Sequence, residues 1–222
     1  MSVHVQQYQE IVQYCRERNV DLVAVSKTKP VSDILELYHL GHRDFGENYV
    51  QELVEKQAEL PEDIRWHFIG HLQSNKVKYI APFVHLIHGV DSLKLLKEIN
   101  KQAAKQNRVI NVLLQVHIAQ EETKFGLDEK ELEEILNSPE LPTLLNVRIC
   151  GLMGMASFSD DFDLVRNEFK VLERIANAHA SLPTANCQLK TVSMGMSGDY
   201  QIAIEEGSNM VRIGSLLFGA RN

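Results

Sequence analysis

No stretch of the 222-residue chain approaches the roughly 18 consecutive apolar residues of a membrane-spanning helix, which excludes a helical membrane protein. Cysteine is scarce. Cys15, Cys150 and Cys187 lie far apart without a CxxC pair, which excludes a disulfide framework and a cysteine zinc site and fits reduced thiols in the cytoplasm. The first ten residues, MSVHVQQYQE, have neither a basic n-region nor an apolar h-region, so no signal peptide is expected. Basic charge does not dominate either: 23 Lys and Arg stand against 30 Asp and Glu, a net −7. That leaves no broad cationic face for nucleic acid or anionic lipid, although a local basic pocket stays open. No Pro/Gly/Ser-rich linker, repeat array or charge block divides the chain. With 44% hydrophobic and 24% charged residues it is an ordinary globular composition, and one domain over 1–222 is expected.

What the sequence does contain is alternation. An amphipathic helix over residues 4–18 is followed by a β-branched apolar run at 21–28, which reads as a buried strand. Pro30 ends it, Ser32 is placed to cap the next helix, and Gly41 closes that helix. Further strands are expected at 44–47, 65–69, 85–90, 109–118, 147–155, 188–193 and 209–213. Helices are expected between them. Asp91 or Ser92 caps one, Asp128 with Glu131 forms a capping box for another, and Phe162, Val165, Phe169, Leu172 and Ala176 make the apolar stripe of a third. About eight strands, each followed by a helix or helical turn, imply a parallel sheet. At about 28 residues per unit, the length suits a closed (β/α)8 TIM barrel, an α/β fold. An open doubly wound sheet is the alternative, but Ser-Lys-Thr-Lys-Pro follows the first strand where dinucleotide binding needs GxGxxG.

In a barrel the chemistry gathers at the C-terminal ends of the strands, with phosphate often beyond strands seven and eight. Those positions hold Lys27 and Lys29, Glu47 and Asn48, His67 and His71, Met155, the run Ser193-Met-Gly-Met-Ser-Gly198, and Arg212-Ile-Gly-Ser215. The Gly/Ser run enters a helix, so its amides can face an anion, and Gly214 with Ser215 can add more. Each of these alone is more often a plain turn; together they favour an anion site. Lys27 follows an apolar strand into the barrel mouth, where desolvation eases loss of its proton, as an amine nucleophile requires. The bland alternative pairs Lys27 with Glu47. A lysine facing a phosphate site is the arrangement an aldehyde cofactor such as pyridoxal phosphate needs. Lys29 reads as a surface or phosphate-screening charge. His67 and His71 have the i, i+4 spacing of metal ligands but span a strand end, so a structural role is expected.

Several motifs occur in order along nearly the whole chain: Val25-Ser-Lys-Thr-Lys-Pro30, Phe45-Gly-Glu-Asn-Tyr-Val-Gln-Glu52, Trp66-His-Phe-Ile-Gly70, Leu72-Gln-Ser-Asn-Lys76, Gly151-Leu-Met153, Ser193-Met-Gly-Met-Ser197 and Val211-Arg-Ile-Gly214. With them the sequence resembles the pyridoxal-phosphate homeostasis proteins, also known as proline synthetase co-transcribed homologues, which share a fold with the N-terminal barrel of alanine racemase. The resemblance implies a fold-type III barrel that binds pyridoxal 5'-phosphate (PLP), with Lys27 as the Schiff-base residue. It implies Ser197 with the Met196 amide, and Gly214 with Ser215, at the phosphate, and Arg212 at the pyridine nitrogen. Asn48 and Met155 are expected along the ring, and Lys124 as a secondary acceptor.

Arginine only donates hydrogen bonds, so Arg212 would leave the pyridine nitrogen unprotonated and the ring a weak electron sink. Racemases of this fold resemble two-base enzymes whose tyrosine comes from a second domain. No such domain is expected after strand eight, so the two-base requirement would go unmet unless a tyrosine such as Tyr49 or Tyr200 substitutes. The expected role is therefore PLP buffering and delivery in vitamin B6 and amino-acid balance, without robust catalysis. PLP-dependent apoenzymes would be the recipients, and a cytoplasmic monomer is the expected form. An amino-acid racemase of weak or specialised activity is the alternative, and a metal hydrolase built on His67 and His71 a distant third.

Overall fold

The apolar run after the first helix becomes β1 (Asp21–Val25) in the computed structural model, which describes residues 3–120, 125–180 and 186–219. It stops three residues short of the expected end because Ser26, Lys27 and Thr28 turn out of the sheet, Thr28 with a φ of 62°. The other strands are β2 (Asp44–Glu47), β3 (Arg65–Phe68), β4 (Leu86–Val90), β5 (Ile110–Gln115), β6 (Val147–Met153), β7 (Cys187–Ser193) and β8 (Met210–Ile213). Each pairs in parallel with the next, and β8 returns to β1, so the sheet closes in sequence order. The (β/α)8 barrel expected from the alternation is the fold.

The strands are covered by α1 (Val5–Glu17), α2 (Val31–His39), α3 (Val50–Glu59), α4 (Val77–Ile80), α5 (Leu93–Lys105), α6 (Glu129–Leu136), α7 (Phe162–His179) and α8 (Tyr200–Glu205). Ser92 caps α5 by accepting from the Leu95 amide, and Asp128 and Glu131 form the capping box of α6. Two expectations fail locally. Ser32 does not cap α2: the helix starts directly after Pro30, whose fixed φ of −69° already suits a helix entrance, and Ser32 lies in the first turn. Phe162 is exposed as the first residue of α7, while Val165, Phe169, Leu172 and Ala176 are buried below it. The four-residue α9 (Ser215–Phe218) after β8 is not foreseen by the periodicity, being too short to show any.

Alternation along each strand splits the core in two. Outward residues such as Phe45, Trp66 and Phe68 pack under the helices in the main apolar layer. Inward residues Val23, Leu86, Leu113, Met153 and Met210 fill a small inner core, as barrel interiors are filled by layers of side chains. Gly151 shows how tightly the sheet closes. A Cβ there would stand 1.8 Å from the Thr191 carbonyl oxygen, at a register shift in the β6–β7 pairing, so only glycine fits.

Candidate cofactor site

In the β1–β8 register Val23 lies opposite Arg212, so the chain after β1 leaves the sheet beside the loop after β8. The result is a cavity of about 520 Å³ at the C-terminal ends of the strands, within the usual range for small ligands. Lys27, Asn48, Met155, Met196, Ser197, Arg212, Gly214 and Ser215 all line it, so the eight residues expected to bind the cofactor meet there. A larger cavity of about 1070 Å³ opens at the opposite end, among the charged side chains of Arg16, Asp21, Asp44 and Arg65. Barrel chemistry belongs to the first of these ends.

The lysine loop is anchored from below by a buried ion cluster. Lys56 Nζ on α3 donates to the Ser26 carbonyl, to Glu47 Oε1 and to Glu52 Oε1, each at 2.7 Å. Ser26 Oγ donates to the same Glu47 oxygen at 2.6 Å, and the Thr28 amide to Glu52 Oε1 at 2.6 Å. Burial pushes the Glu47 carboxyl up, opposed by the Lys56 charge and the two hydrogen bonds it accepts. Glu47, weighed from sequence as a partner for Lys27, is thus committed to Lys56. Lys29 is no bare screening charge: its Nζ donates to the Phe218 carbonyl at 2.7 Å. Between the two lysines Thr28 is held in the left-handed region, where a β-branched residue is strained by roughly 1–2 kcal/mol. Thr28→Asn, which tolerates that region, is expected to raise the unfolding free energy by about 1 kcal/mol in urea titration. An unchanged or lower value would show that the Thr28 side chain earns its place by contacts.

At the opposite wall Gly195, with φ 95°, carries the chain from β7 into the Met196–Gly198 turn; a Cβ there would stand 2.6 Å from that of Ala203. Among the described residues, the amides of Ser197, Gly198, Ser215 and Leu216 donate to no protein acceptor, although all four residues line the cavity. Ser197 Oγ accepts from the Gly214 amide at 3.3 Å, leaving its own proton to donate. The Met196 amide differs from expectation: it is taken by the Asp199 carboxylate at 2.5 Å. Orphan amides at two short helix starts are what an anion needs.

On the floor, Arg212 is buried and donates to Ser193 Oγ at 2.6 Å and to the Gly154 carbonyl at 3.0 Å. Burial pulls its guanidinium down to about 10, opposed by the Asp199 charge, so it stays protonated at neutral pH. Asn48 Oδ1 is buried without a partner, an acceptor waiting for a donor from a ligand. Met155 is half-buried on the edge of the inner core. Tyr49 is exposed and Tyr200 packs edge-on against Tyr14; neither lines this cavity. Lys124 lies outside the described residues. His71 stacks on Phe125 at 4.3 Å and faces Asp91, whereas His67 points into the barrel, and among the described residues no group of three or more His, Cys, Asp or Glu side chains is placed to hold a metal. Asp199 and Lys56 are functional neighbours that motif reading missed. Lys56 could have been found, since it sits three residues after Leu53 on the buried stripe of α3.

Residues 5–222 match the family described as alanine racemase, N-terminal domain. The pyridoxal phosphate homeostasis protein of Aquifex aeolicus (strain VF5) is 42% identical over 207 residues, covering 92% of this chain and 89% of the relative. That of Escherichia coli (strain K12) is 42% identical over 208 residues, covering 91% and 86%. The structure of PipY from Synechococcus elongatus PCC7942 with PLP bound is 37% identical, with a TM-score of 0.82 over 90% of this chain and 93% of that one. By identity, coverage and barrel alike, the chain belongs to the pyridoxal phosphate homeostasis protein family, within the alanine racemase N-terminal domain family.

Proposed function

We propose that this chain binds PLP in the C-terminal cavity of the barrel, with Lys27 as the amine that carries it covalently, and that it buffers and delivers the cofactor. The observation that carries the reading is the convergence on one cavity of a lysine, four orphan amides and a buried arginine. The residues fit the group. The amides of Ser197, Gly198, Ser215 and Leu216 would hold the phosphate, with the Ser197 and Ser215 hydroxyls. Arg212 would donate toward the pyridine nitrogen, and Asn48 Oδ1 would accept from a ring hydroxyl. Bound there, PLP supplies an aldehyde that condenses with amines, with loss of water, and a ring that withdraws electrons. The chain's own residues do little more than hold it. A donor-only Arg212 leaves the ring nitrogen an acceptor, and among the described residues no tyrosine lines the cavity to move a substrate proton. The same reading has one domain over 1–222 working as a cytoplasmic monomer that passes PLP to PLP-dependent apoenzymes. It draws support from three cysteines that form no disulfide and from the lack, among the described residues, of any helix long and apolar enough to cross a membrane.

Mixing the protein with PLP and desalting is expected to leave one coloured equivalent per chain, and borohydride to fix its mass on the peptide containing Lys27. A colourless protein that retains no PLP would sink the reading. The racemase alternative draws on the alanine racemase family match. In deuterium oxide, the loaded protein is expected to exchange amino-acid α-protons no faster than free PLP does; sustained exchange above that level would make it an enzyme.

A further inference from the structure

Four polar side chains cross the apolar interior of the barrel between its two ends. Ser193 Oγ, which accepts from Arg212, lies 3.1 Å from His88 Nδ1. His88 Nε2 lies 3.0 Å from His67 Nδ1, and His67 Nε2 lies 3.1 Å from Asp44 Oδ1. They come from β7, β4, β3 and β2, and Ser193, His88 and His67 are at most 1% exposed. Asp44 also takes the Arg65 guanidinium and opens on the larger cavity at the N-terminal end.

The chemistry of the two ends favours one direction for the bonds between them. Arg212 can only donate, so the Ser193 oxygen accepts from it, and the hydroxyl proton can turn to His88 Nδ1 at 3.1 Å. Burial, beside His67, Arg212 and His85, holds His88 well below the usual histidine range, so it is neutral, with its one proton on Nε2. That proton goes to His67 Nδ1, and His67 in turn donates from Nε2 to Asp44. Burial alone would raise the Asp44 carboxyl, but the hydrogen bonds from His67 and Arg65 outweigh it and hold the group far below the usual carboxylate range. Asp44 is therefore acceptor-only. Each of the four is satisfied in one orientation, running from Arg212 to Asp44.

We infer that Ser193, His88, His67 and Asp44 form a hydrogen-bond relay of fixed direction that positions Arg212 for the cavity. With Nη1 held by Ser193 and Nη2 by the Gly154 carbonyl, the guanidinium plane is set from two sides. Its remaining N–H groups have no partner among the described residues and are left for a ligand. Ser193 and His88 are positioning residues: they reach the cavity through Arg212. The relay itself stands on the ligand-free protein, whereas its consequence for a bound pyridine nitrogen rests on the PLP reading above.

Side-chain ¹⁵N NMR of the ligand-free protein tests the first part. His88 and His67 are both expected as the Nε2–H tautomer, with His88 neutral through the mildly acid range; an Nδ1–H tautomer at His88 overturns the relay. Ser193→Ala tests the second. It is expected to weaken PLP retention about tenfold and to shift the absorbance band of the bound cofactor, with Ser193→Thr, which keeps the hydroxyl, restoring the band. Wild-type retention and an unmoved band in a folded Ser193→Ala protein would refute the positioning role. Should Ser193→Ala not fold, His88→Gln takes its place, read by the same band. If the wild-type protein takes up no PLP, the proposed function falls while the tautomers still decide the relay.

Discussion

Lys56→Met is expected to cost about 3–5 kcal/mol of unfolding free energy, the range found when one partner of a buried ion pair is removed. The side chain of Glu47 is fully buried and that of Lys56 is 7% exposed, so little water is present to take over from the missing cation. The variant would leave Glu47 with only the Ser26 hydroxyl, and Glu47 Oε2 already lacks a partner. Burial already raises this carboxyl, and losing Lys56 raises it further. A carboxyl raised in the folded state destabilises most when ionised, above its folded pKa. The penalty shrinks as pH falls toward its unfolded value of about 4.3. The gap between wild type and Lys56→Met, read from urea melts, should therefore narrow from pH 8 to pH 5. Adding Glu47→Gln to Lys56→Met removes the stranded charge and should recover more than half of the loss. A loss under about 1 kcal/mol that ignores pH would show that the cluster is solvated and holds nothing. Because Lys56 also pins the Ser26 carbonyl, the loop that presents Lys27 should loosen with it, and PLP retention should fall in parallel.

That cluster marks the border of what the chain disclosed before its fold was known. The barrel was legible because its evidence is local. A short apolar run such as residues 22–25, a capping box at Asp128, and turn glycines each act within a few residues. The cavity was legible for a related reason: a parallel barrel brings every strand's C-terminal end to one face, so Lys27, Asn48, Met155, Ser197 and Arg212 could be gathered without knowing any distance. Pairings between strands were not. Lys56 meets Ser26 across thirty positions and His88 meets Ser193 across 105, and no periodicity encodes either. Ser32 failed as a cap because Pro30 had already supplied the helix entrance. The Met196 amide went to Asp199, since a carboxylate three residues on reaches back more readily than a distant group.

Lys27→Ala is expected to abolish borohydride-fixed PLP while leaving the ligand-free fold within about 1 kcal/mol of wild type, as for most half-exposed positions. The two halves of the site explain the split. The orphan amides and Arg212 stand on strand ends and helix starts that do not depend on Lys27, so a reversible grip on phosphate and ring survives. What disappears is the amine, and with it the slow release that covalent attachment gives. Thermal unfolding reads this directly. A ligand at a hundredfold excess over its Kd stabilises by about 2.7 kcal/mol, and a hundredfold weaker site keeps only about 0.4 kcal/mol of that. Added PLP should thus raise the melting temperature of wild type clearly and that of Lys27→Ala hardly at all. Lys29 is the control, since it lines the same cavity two residues away. Its Nζ already donates to the Phe218 carbonyl at 2.7 Å, which holds it against the end of the chain. Lys29→Ala should keep the fixed label. If the label instead survives Lys27→Ala and is lost with Lys29→Ala, the carrying amine is Lys29, and the Lys56 cluster anchors the loop for a different residue than the one assigned.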